Sequence, residues 1–187
     1  MEKLKKYIQS KINIELKHLE KILASFESKT FKNDQAIIKT GQHVTKYYFI
    51  AKGGVRIVID TPEKEITAWL IFENNFFSDL DALRSGLTSK AKVLAIDETK
   101  IFSINVHKME AFFGEFPEWQ KFGRLIMEDA FLNVIESLIS FQIMDAETRY
   151  LQMLEKSDAI NRVPLKQLAS YLGITPNSLS RIRKNIR

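Results

Sequence analysis

The sequence has 187 residues, of which 45% are hydrophobic, carries a net charge of +5 and contains no cysteine. This size allows one good hydrophobic core and a second small one, and the lack of cysteine excludes disulfides, thiolate metal ligands and cysteine nucleophiles. No apolar run approaches the roughly 20 residues that span a bilayer, and the charged N-terminus lacks a signal-peptide core, so we expect a soluble, cytoplasmic protein.

The apolar period of the chain changes near residue 30. In residues 1–28, apolar side chains such as Leu4, Ile8 and Leu19 recur at three- and four-residue steps, which predicts helix. Residues 30–106 contain short β-type runs that are separated by turn residues. The predicted strands are residues 46–51, 55–60, 65–72, 92–96 and 100–104. Short strands at regular spacing favour a small antiparallel barrel or sandwich.

Residues 117–143 are predicted to form one long helix. Pro117 suits the first turn, where its missing N–H is not needed. Two apolar stripes follow the helical period: Phe122, Ile126, Ala130, Val134, Leu138 and Phe141 form the first, and Leu125, Leu132, Ile135, Ile139 and Ile143 form the second. A helix of about 40 Å exceeds a small domain, so two apolar faces indicate packing on its own sheet and on a second copy. The alternative is a single buried core helix.

The positive charge is concentrated at the C-terminal end. Residues 161–187 hold six Lys or Arg and no Asp or Glu, whereas the other 160 residues hold 22 basic and 23 acidic side chains. The same segment predicts two short helices joined by a tight turn, with the small Ala169 at their crossing and Gly173 in the turn. A basic, acid-free helix-turn-helix predicts binding to DNA. The alternative is an ordinary helical hairpin with a solvated basic face.

The second helix of this pair carries the residues that we expect to contact DNA. Thr175 is a natural N-cap and Pro176 is a natural first residue of the helix. Short polar groups at a helix N-terminus, followed by Arg and Lys, suit insertion into the major groove and contact with its phosphates. The predicted DNA-binding residues are Thr175, Asn177, Ser178, Ser180, Arg181, Arg183, Lys184 and Arg187.

The order of lead helices, strands, long helix and terminal helix-turn-helix resembles the catabolite activator and fumarate–nitrate regulator (Crp/Fnr) family of bacterial transcription factors. Residues 172–183, LeuGlyIleThrProAsnSerLeuSerArgIleArg, are similar to the recognition-helix signature of that family. Residues 35–57 are similar to its first strands, with Gly41 and Gly53 at two turns. The resemblance therefore covers essentially the whole chain.

This resemblance implies an α+β fold with three parts. They are an antiparallel, jelly-roll-like β-roll sensor domain in residues 1–116, a dimerisation helix in residues 117–143 and a helix-turn-helix domain in residues 144–187. The resemblance also implies a homodimer that presents two recognition helices to successive major grooves of double-stranded DNA. RNA polymerase is a candidate partner.

The sequence departs from the family at the effector site. Members that bind cyclic nucleotides use a Gly-Glu pair at the ribose and an Arg at the phosphate. Here Ser78 and Asp79 replace Gly and Glu, and Ser89 stands at the Arg position. A buried phosphate without a cation is costly, so we expect neither cyclic nucleotide nor cofactor, and the effector stays unidentified. The predicted ligand pocket comprises Ser78, Asp79, Leu80, Arg84, Ser89 and Lys90.

Two alternatives stay open for this pocket. In one, Arg84, Lys90 or Lys92 reaches into the pocket and replaces the missing arginine. In the other, the pocket is a remnant that binds nothing.

The sequence contains no catalytic or metal-binding pattern. His18, His43 and His107 fall in separate segments without metal-ligand spacing, and no phosphate loop or nucleophile elbow is present. A haem ligand among these histidines is an alternative without local support. We therefore predict a dimeric, sequence-specific DNA-binding transcription regulator rather than an enzyme. The rival hypothesis is a ligand-binding or protein-interaction module that no longer engages DNA.

Overall fold

Residues 1–186 are described by a computed structural model, and the predicted DNA contact Arg187 lies outside the described residues. The helices are α1 (Glu2–Lys11), α2 (Leu16–Leu23), α3 (Leu80–Ser85), α4 (Val106–Glu115), α5 (Pro117–Ile143), α6 (Ala146–Lys156), α7 (Leu165–Leu172) and α8 (Pro176–Ile186), with a 3-10 helix at Asp158–Arg162. The strands are β1 (Glu27–Phe31), β2 (Ala36–Ile38), β3 (Lys46–Asp60), β4 (Glu65–Phe72), β5 (Phe76–Phe77) and β6 (Lys92–Asn105). The predicted long helix is confirmed with the predicted bounds.

The strands form one antiparallel sheet, as predicted. Within the described part of the chain, β6 and β3 lie next to each other at the centre, and β1 and β4 flank them. The short strands β2 and β5 pair with β6 and β3, and the sheet stays unclosed. A buried cluster that includes Ile38, Val55, Phe77 and Val93 joins these strands to α3. The antiparallel roll, the long helix and the helical C-terminal part together confirm the predicted fold class.

Two of the predicted strand ends are wrong. Residues 46–51 and 55–60 both belong to β3, and residues 92–96 and 100–104 both belong to β6. The Gly53–Gly54 pair was expected to end a strand, but it lies at a register shift inside β3. Gly53 has φ of +86°, and a Cβ there would lie 2.5 Å from Thr99 Oγ1, so glycine lets the two strands approach closely.

A second buried cluster attaches the N-terminal helices and the start of α5 to the sheet. Leu4 of α1 and Leu19 of α2 are fully buried in it, together with Phe49 of β3. Trp119 and Phe122 from the first turns of α5 complete this cluster. Burying a side chain of this size contributes about 1.5–3 kcal/mol, so these contacts hold the beginning of α5 firmly on the roll.

The rest of α5 leaves large apolar side chains in solvent. Val134, Leu138 and Phe141 of the first predicted stripe are 48%, 58% and 41% exposed, although Phe122 of the same stripe is fully buried. The first turns of α5 therefore pack on the roll, and its later turns do not. The exposed apolar residues of α5 are Met127, Phe131, Leu132, Val134, Leu138, Ile139, Phe141 and Ile143.

The C-terminal helices pack against β4, an edge strand of the sheet. Leu70 and Phe72 of β4 join the buried cluster formed around Leu168 of α7. Arg162 donates from one guanidinium nitrogen to both carboxylate oxygens of Glu73, at 3.1 and 3.2 Å. The helix-turn-helix is therefore held in one orientation on the roll by apolar packing and by an ion pair.

Replacing Glu73 should weaken this attachment in a pH-dependent way. Burial alone would raise the pKa of Glu73, but hydrogen bonds from Arg162 and from the Gly53 N–H outweigh it and hold the pKa below its ordinary value. A carboxylate with a lowered folded pKa stabilises the protein above its unfolded pKa, and this stabilisation is lost as the pH falls through the folded value. Glu73→Gln should lower the free energy of unfolding by roughly 1 kcal/mol at pH 7, measured by urea denaturation.

A matched control is Glu98→Gln, because Glu98 pairs with Lys52 and both side chains are exposed. This variant should unfold like the wild type. The difference in the free energy of unfolding between Glu73→Gln and the wild type should shrink as the pH falls below the ordinary pKa of a glutamate. Equal stability of the two variants at pH 7 would contradict the role of the Glu73–Arg162 pair.

Candidate functional site

The turn of the helix-turn-helix has the predicted geometry. Gly173 adopts φ of +73°, which glycine tolerates best, and the Ile174 N–H donates to the Ala169 carbonyl at 3.0 Å. Ala169 is fully buried where α7 meets α8, so its small side chain allows the helices to approach each other. Leu172 and Leu179 are buried beside it. The predicted roles of Ala169 and Gly173 are confirmed.

The start of α8 is capped as the sequence predicts. Thr175 Oγ1 accepts the Ser178 N–H at 3.1 Å, and Pro176 is the first residue of the helix. This arrangement satisfies one free N–H of the first turn and places the positive end of the helix dipole at the surface. Thr175 itself is exposed, and Ser178 is half-buried.

One face of α8 presents polar and basic side chains to solvent. Asn177, Ser180, Arg181 and Lys184 are exposed, and their three- to four-residue spacing places them along one side of the helix. Neither α7 nor α8 contains an acidic residue. The structure therefore brings these four predicted DNA-binding residues together on a positively charged surface.

Arg183 is separated from this surface. Its Nε donates to the Tyr150 hydroxyl at 3.1 Å, and its guanidinium lies 5.5 Å from the centre of the Tyr150 ring. Tyr150 belongs to α6 and is buried in the core of the C-terminal helices. In this conformation Arg183 connects α8 to α6, and its predicted contact with DNA stays a prediction.

Arg149 is a structural residue of this region that sequence reasoning missed. It donates to the Met144 carbonyl at 2.6 Å and to the Leu172 carbonyl at 2.9 Å. These carbonyls lie at the C-terminal ends of α5 and α7, where free acceptors and the helix dipole favour a cation. Its guanidinium also lies 4.5 Å from the centre of the Phe141 ring. Arg149 thus fixes α7 to the end of the long helix, and nothing in its local sequence indicates this.

The predicted ligand pocket is organised around a contact between Asp79 and Ser89. Asp79 Oδ1 caps α3 by accepting the Ala82 N–H at 3.0 Å, and Asp79 Oδ2 lies 2.6 Å from Ser89 Oγ. Ser89 is 2% exposed, and its Oγ also lies 2.7 Å from the Ala91 carbonyl. Ser78 Oγ donates to the Lys46 carbonyl at 2.8 Å. Each of these polar groups already has a partner within the roll.

The other predicted pocket residues point to the surface. Leu80, Arg84 and Lys90 are exposed, and Lys90 Nζ lies 3.6 Å from Asp81. Lys92 donates to Glu65 and Asp60, and these hydrogen bonds raise its pKa. The structure pairs both lysines with carboxylates other than Asp79.

Residues 1–186 contain neither a candidate metal cluster nor a helix that could span a membrane. This part of the chain contains no group of three or more His, Asp or Glu side chains that could hold a metal ion. None of the helices described there is both long enough and apolar enough to cross a membrane.

Comparison with known proteins identifies the architecture. Residues 28–116, which run from β1 to the end of α4, match the sequence profile of the family described as "Cyclic nucleotide-binding domain". No curated protein sequence matches the chain. Solved structures of regulators of the Crp/Fnr family superpose on nearly its full length. The chain has the Crp/Fnr regulator fold.

Three solved structures illustrate this Crp/Fnr likeness. FixK2 from Bradyrhizobium japonicum has 15% identity and a TM-score of 0.73, with 86% of this chain and 84% of that chain covered. The c-di-GMP-responsive global regulator CLP of Xanthomonas campestris has 14% identity and a TM-score of 0.69, covering 92% and 91%. The catabolite activator protein of Thermus thermophilus has 18% identity and a TM-score of 0.54, covering 93% and 84%. At identities this low, the TM-scores and the coverage show a shared fold and nothing further.

Proposed function

We propose that this protein is a dimeric, sequence-specific DNA-binding transcription regulator. The observation that carries the proposal is the exposed, acid-free face of α8, which stands on a well-formed helix-turn-helix. Short polar side chains at the capped N-terminus of α8 fit the edges of bases, and Arg181 and Lys184 fit guanine and phosphate. The proposed contacts are Thr175, Asn177, Ser178, Ser180, Arg181, Lys184 and Arg187, and Arg183 joins them only when it leaves Tyr150.

The exposed apolar side chains of α5 support a dimer. Met127, Phe131, Val134, Leu138 and Phe141 follow steps of four and three residues, which is the repeat of a two-helix seam. Monomers rarely leave a contiguous apolar surface of this kind in water. A symmetric pair of α5 helices would cover it, and we expect the two α8 helices of such a dimer to bind half-sites about 34 Å apart, one turn of DNA.

Each of the three parts of the chain is assigned one role. We assign residues 1–116 to a sensor domain, residues 117–143 to dimerisation and residues 144–187 to DNA binding. The Asp79–Ser89 hydrogen bond supports a sensor that does not use a cyclic nucleotide. The Asp79 carboxylate and the Ser89 hydroxyl are already paired with each other and are not free to bind the ribose and the phosphate. RNA polymerase is a candidate partner of the DNA-bound dimer.

Salt-dependent binding to duplex DNA tests the proposal. The affinity of the full chain for a labelled duplex should fall steeply with salt concentration, because each neutralised phosphate releases counterions. Lys184→Ala should weaken binding to all sequences alike and reduce the salt slope by about one unit, measured by fluorescence anisotropy. Lys90→Ala removes another exposed lysine, which lies on the roll, and should leave the slope unchanged. Binding that is absent, or independent of salt, would favour the rival interaction module.

Cyclic AMP and cyclic GMP should bind no tighter than roughly millimolar, which corresponds to about −4 kcal/mol. A cyclic phosphate in this pocket would meet Ser89 and lose the charge-assisted pair that an arginine provides. The double variant Asp79→Glu, Ser89→Arg should gain measurable affinity, because it restores both family groups. Calorimetric titration of both proteins checks this, and micromolar binding by the unaltered protein would contradict it.

A further inference from the structure

A large cleft lies between the sheet and one side of α5. Its volume is about 660 Å³, which lies within the range of sites that hold drug-sized molecules. The walls come from β3, β4 and β5, from Ser78 and Leu80, from α4 and from residues 120–134 of α5. Five aromatic side chains line it, namely Tyr47, Trp69, Phe76, Phe77 and Phe113. The cleft therefore offers extensive aromatic surface, which favours offset or edge-on contacts with another ring.

One end of the cleft is shaped by a close approach between helices. A Cβ at Gly123 of α5 would lie 2.6 Å from the Phe113 ring of α4, so glycine allows this ring to lie against the helix. Phe113 and Gly123 both line the cleft. Its aromatic end is thus built into the packing of α4 on α5.

The lining is nearly free of charge. Of the described residues around the cleft, none is Asp, Glu, Lys or His, and Arg124 is the one ionised side chain. Arg124 forms an ion pair with Glu128, one turn along the same helix. Burial raises the pKa of the Tyr47 phenol, so its hydroxyl stays neutral. A phosphate or carboxylate placed here would lose its hydration without gaining an unpaired cation.

A few neutral polar groups interrupt the apolar wall. Asn75 donates to the Phe72 carbonyl at 3.2 Å, and Gln120 donates to the Phe113 carbonyl at 2.6 Å. These bonds fix the orientation of the two side-chain amides. Amides held in place beside aromatic rings suit a ligand with one hydroxyl or carbonyl group.

We propose that this cleft binds an uncharged aromatic molecule that carries a hydroxyl or carbonyl group. The assignment gives a ligand class to the proposed sensor role of the roll and rests on that role. Ser78 and Leu80 of the predicted ligand pocket also line the cleft, whereas Asp79 and Ser89 do not, so the proposed site adjoins the Asp79–Ser89 pair without including it. Met127 and Val134 line the cleft and also belong to the exposed apolar residues of α5, so the occupant touches the helix proposed to form the dimer.

The test compares two probes that share one ring system. 1-Naphthol is uncharged at neutral pH, and 1-naphthyl phosphate carries a charged phosphate in place of its hydroxyl group. In calorimetric titrations of the full chain without DNA, 1-naphthol should bind saturably and at least about tenfold more tightly than 1-naphthyl phosphate. Ligand binding and DNA binding are measured in separate experiments. A protein that fails to bind 1-naphthol can therefore still be tested for DNA binding, and the reverse.

Variants locate the binding to the cleft. Ala68 lines the cleft from β4, so Ala68→Phe should fill it and weaken 1-naphthol binding at least about tenfold. Ala111→Phe makes the same change at an exposed position of α4 outside the lining and should leave binding unchanged. If Ala68→Phe fails to fold, Ala130→Phe fills the cleft from an exposed position of α5 and should have the same effect.

Three results would overturn the assignment. They are an absence of saturable 1-naphthol binding up to millimolar concentration, equal binding of the phosphate, and undiminished 1-naphthol binding by a folded cleft-filling variant. A tenfold loss in the cleft-filling variant, with wild-type binding by Ala111→Phe, would support it.

Discussion

Leu138→Asp should convert the protein from dimers to monomers and weaken DNA binding by two orders of magnitude or more. Leu138 is 58% exposed in the middle of the apolar residues of α5, so the change costs little within one chain. In the proposed dimer two carboxylates would instead face each other across an apolar seam, which is strongly unfavourable. A monomer also loses the avidity of two linked recognition helices, which multiplies affinity by about 10² to 10⁴. Sedimentation and anisotropy measure the two effects.

Asn133→Asp is the matched control for this prediction. It adds the same charge to an exposed position of α5 that lies outside the repeat formed by Met127, Phe131, Val134, Leu138 and Phe141. This variant should stay dimeric and should bind DNA nearly as well as the wild type. A Leu138→Asp protein that sediments as a dimer would show that α5 does not form the interface.

The features that the sequence predicted correctly depend on local interactions. The bounds of α5 follow from Pro117 and from a helical apolar period that runs without interruption to Ile143. The turn between α7 and α8 follows from Gly173, which needs a positive φ, and from Thr175, which caps the next helix. In each case the deciding contacts join residues within one or two turns of each other. Such contacts can be recognised from spacing alone.

The features that the sequence missed depend on contacts between distant residues. Gly53 was expected to end a strand because glycine often does so, but its partner Thr99 is 46 positions away, and their close approach keeps β3 continuous. Arg162 and Glu73 are 89 positions apart, and Arg183 and Tyr150 are 33 positions apart. Each of these arginines appears in the sequence only as one more positive charge. The fold decides which charges stay available for DNA.

In the candidate sites, too, some features were visible in the sequence and others required the structure. The departures at Ser78, Asp79 and Ser89 were visible in the sequence because they replace residues that the resemblance leads one to expect. Their consequence, a hydrogen bond between Asp79 and Ser89, required the structure. Of the residues that line the aromatic cleft, only Ser78 and Leu80 were predicted as pocket residues, because the lining comes from separate segments between Tyr47 and Val134. No local spacing marks a surface assembled in this way.

Arg181→Ala and Arg183→Ala should have opposite phenotypes, although the two arginines are only two positions apart. Arg181 is exposed on the polar face of α8, and an Arg that binds a guanine edge is worth about 1–3 kcal/mol of discrimination. Its removal should weaken binding to a duplex selected by the wild-type protein and relax the preference at one base pair. Binding to random duplexes should change little. The stability of the protein should also change little, because the side chain is exposed.

Arg183→Ala should instead lower stability. It removes the hydrogen bond and the ring contact with Tyr150, which together contribute roughly 1–2 kcal/mol. At a temperature where the variant is fully folded, its preference among duplexes should match that of the wild type. Urea denaturation measures the first effect, and anisotropy on selected and random duplexes measures the second. If Arg181→Ala loses the same affinity on both duplexes, Arg181 contacts phosphate; if Arg183→Ala relaxes the base preference, Arg183 leaves Tyr150 and reads a base when DNA is bound.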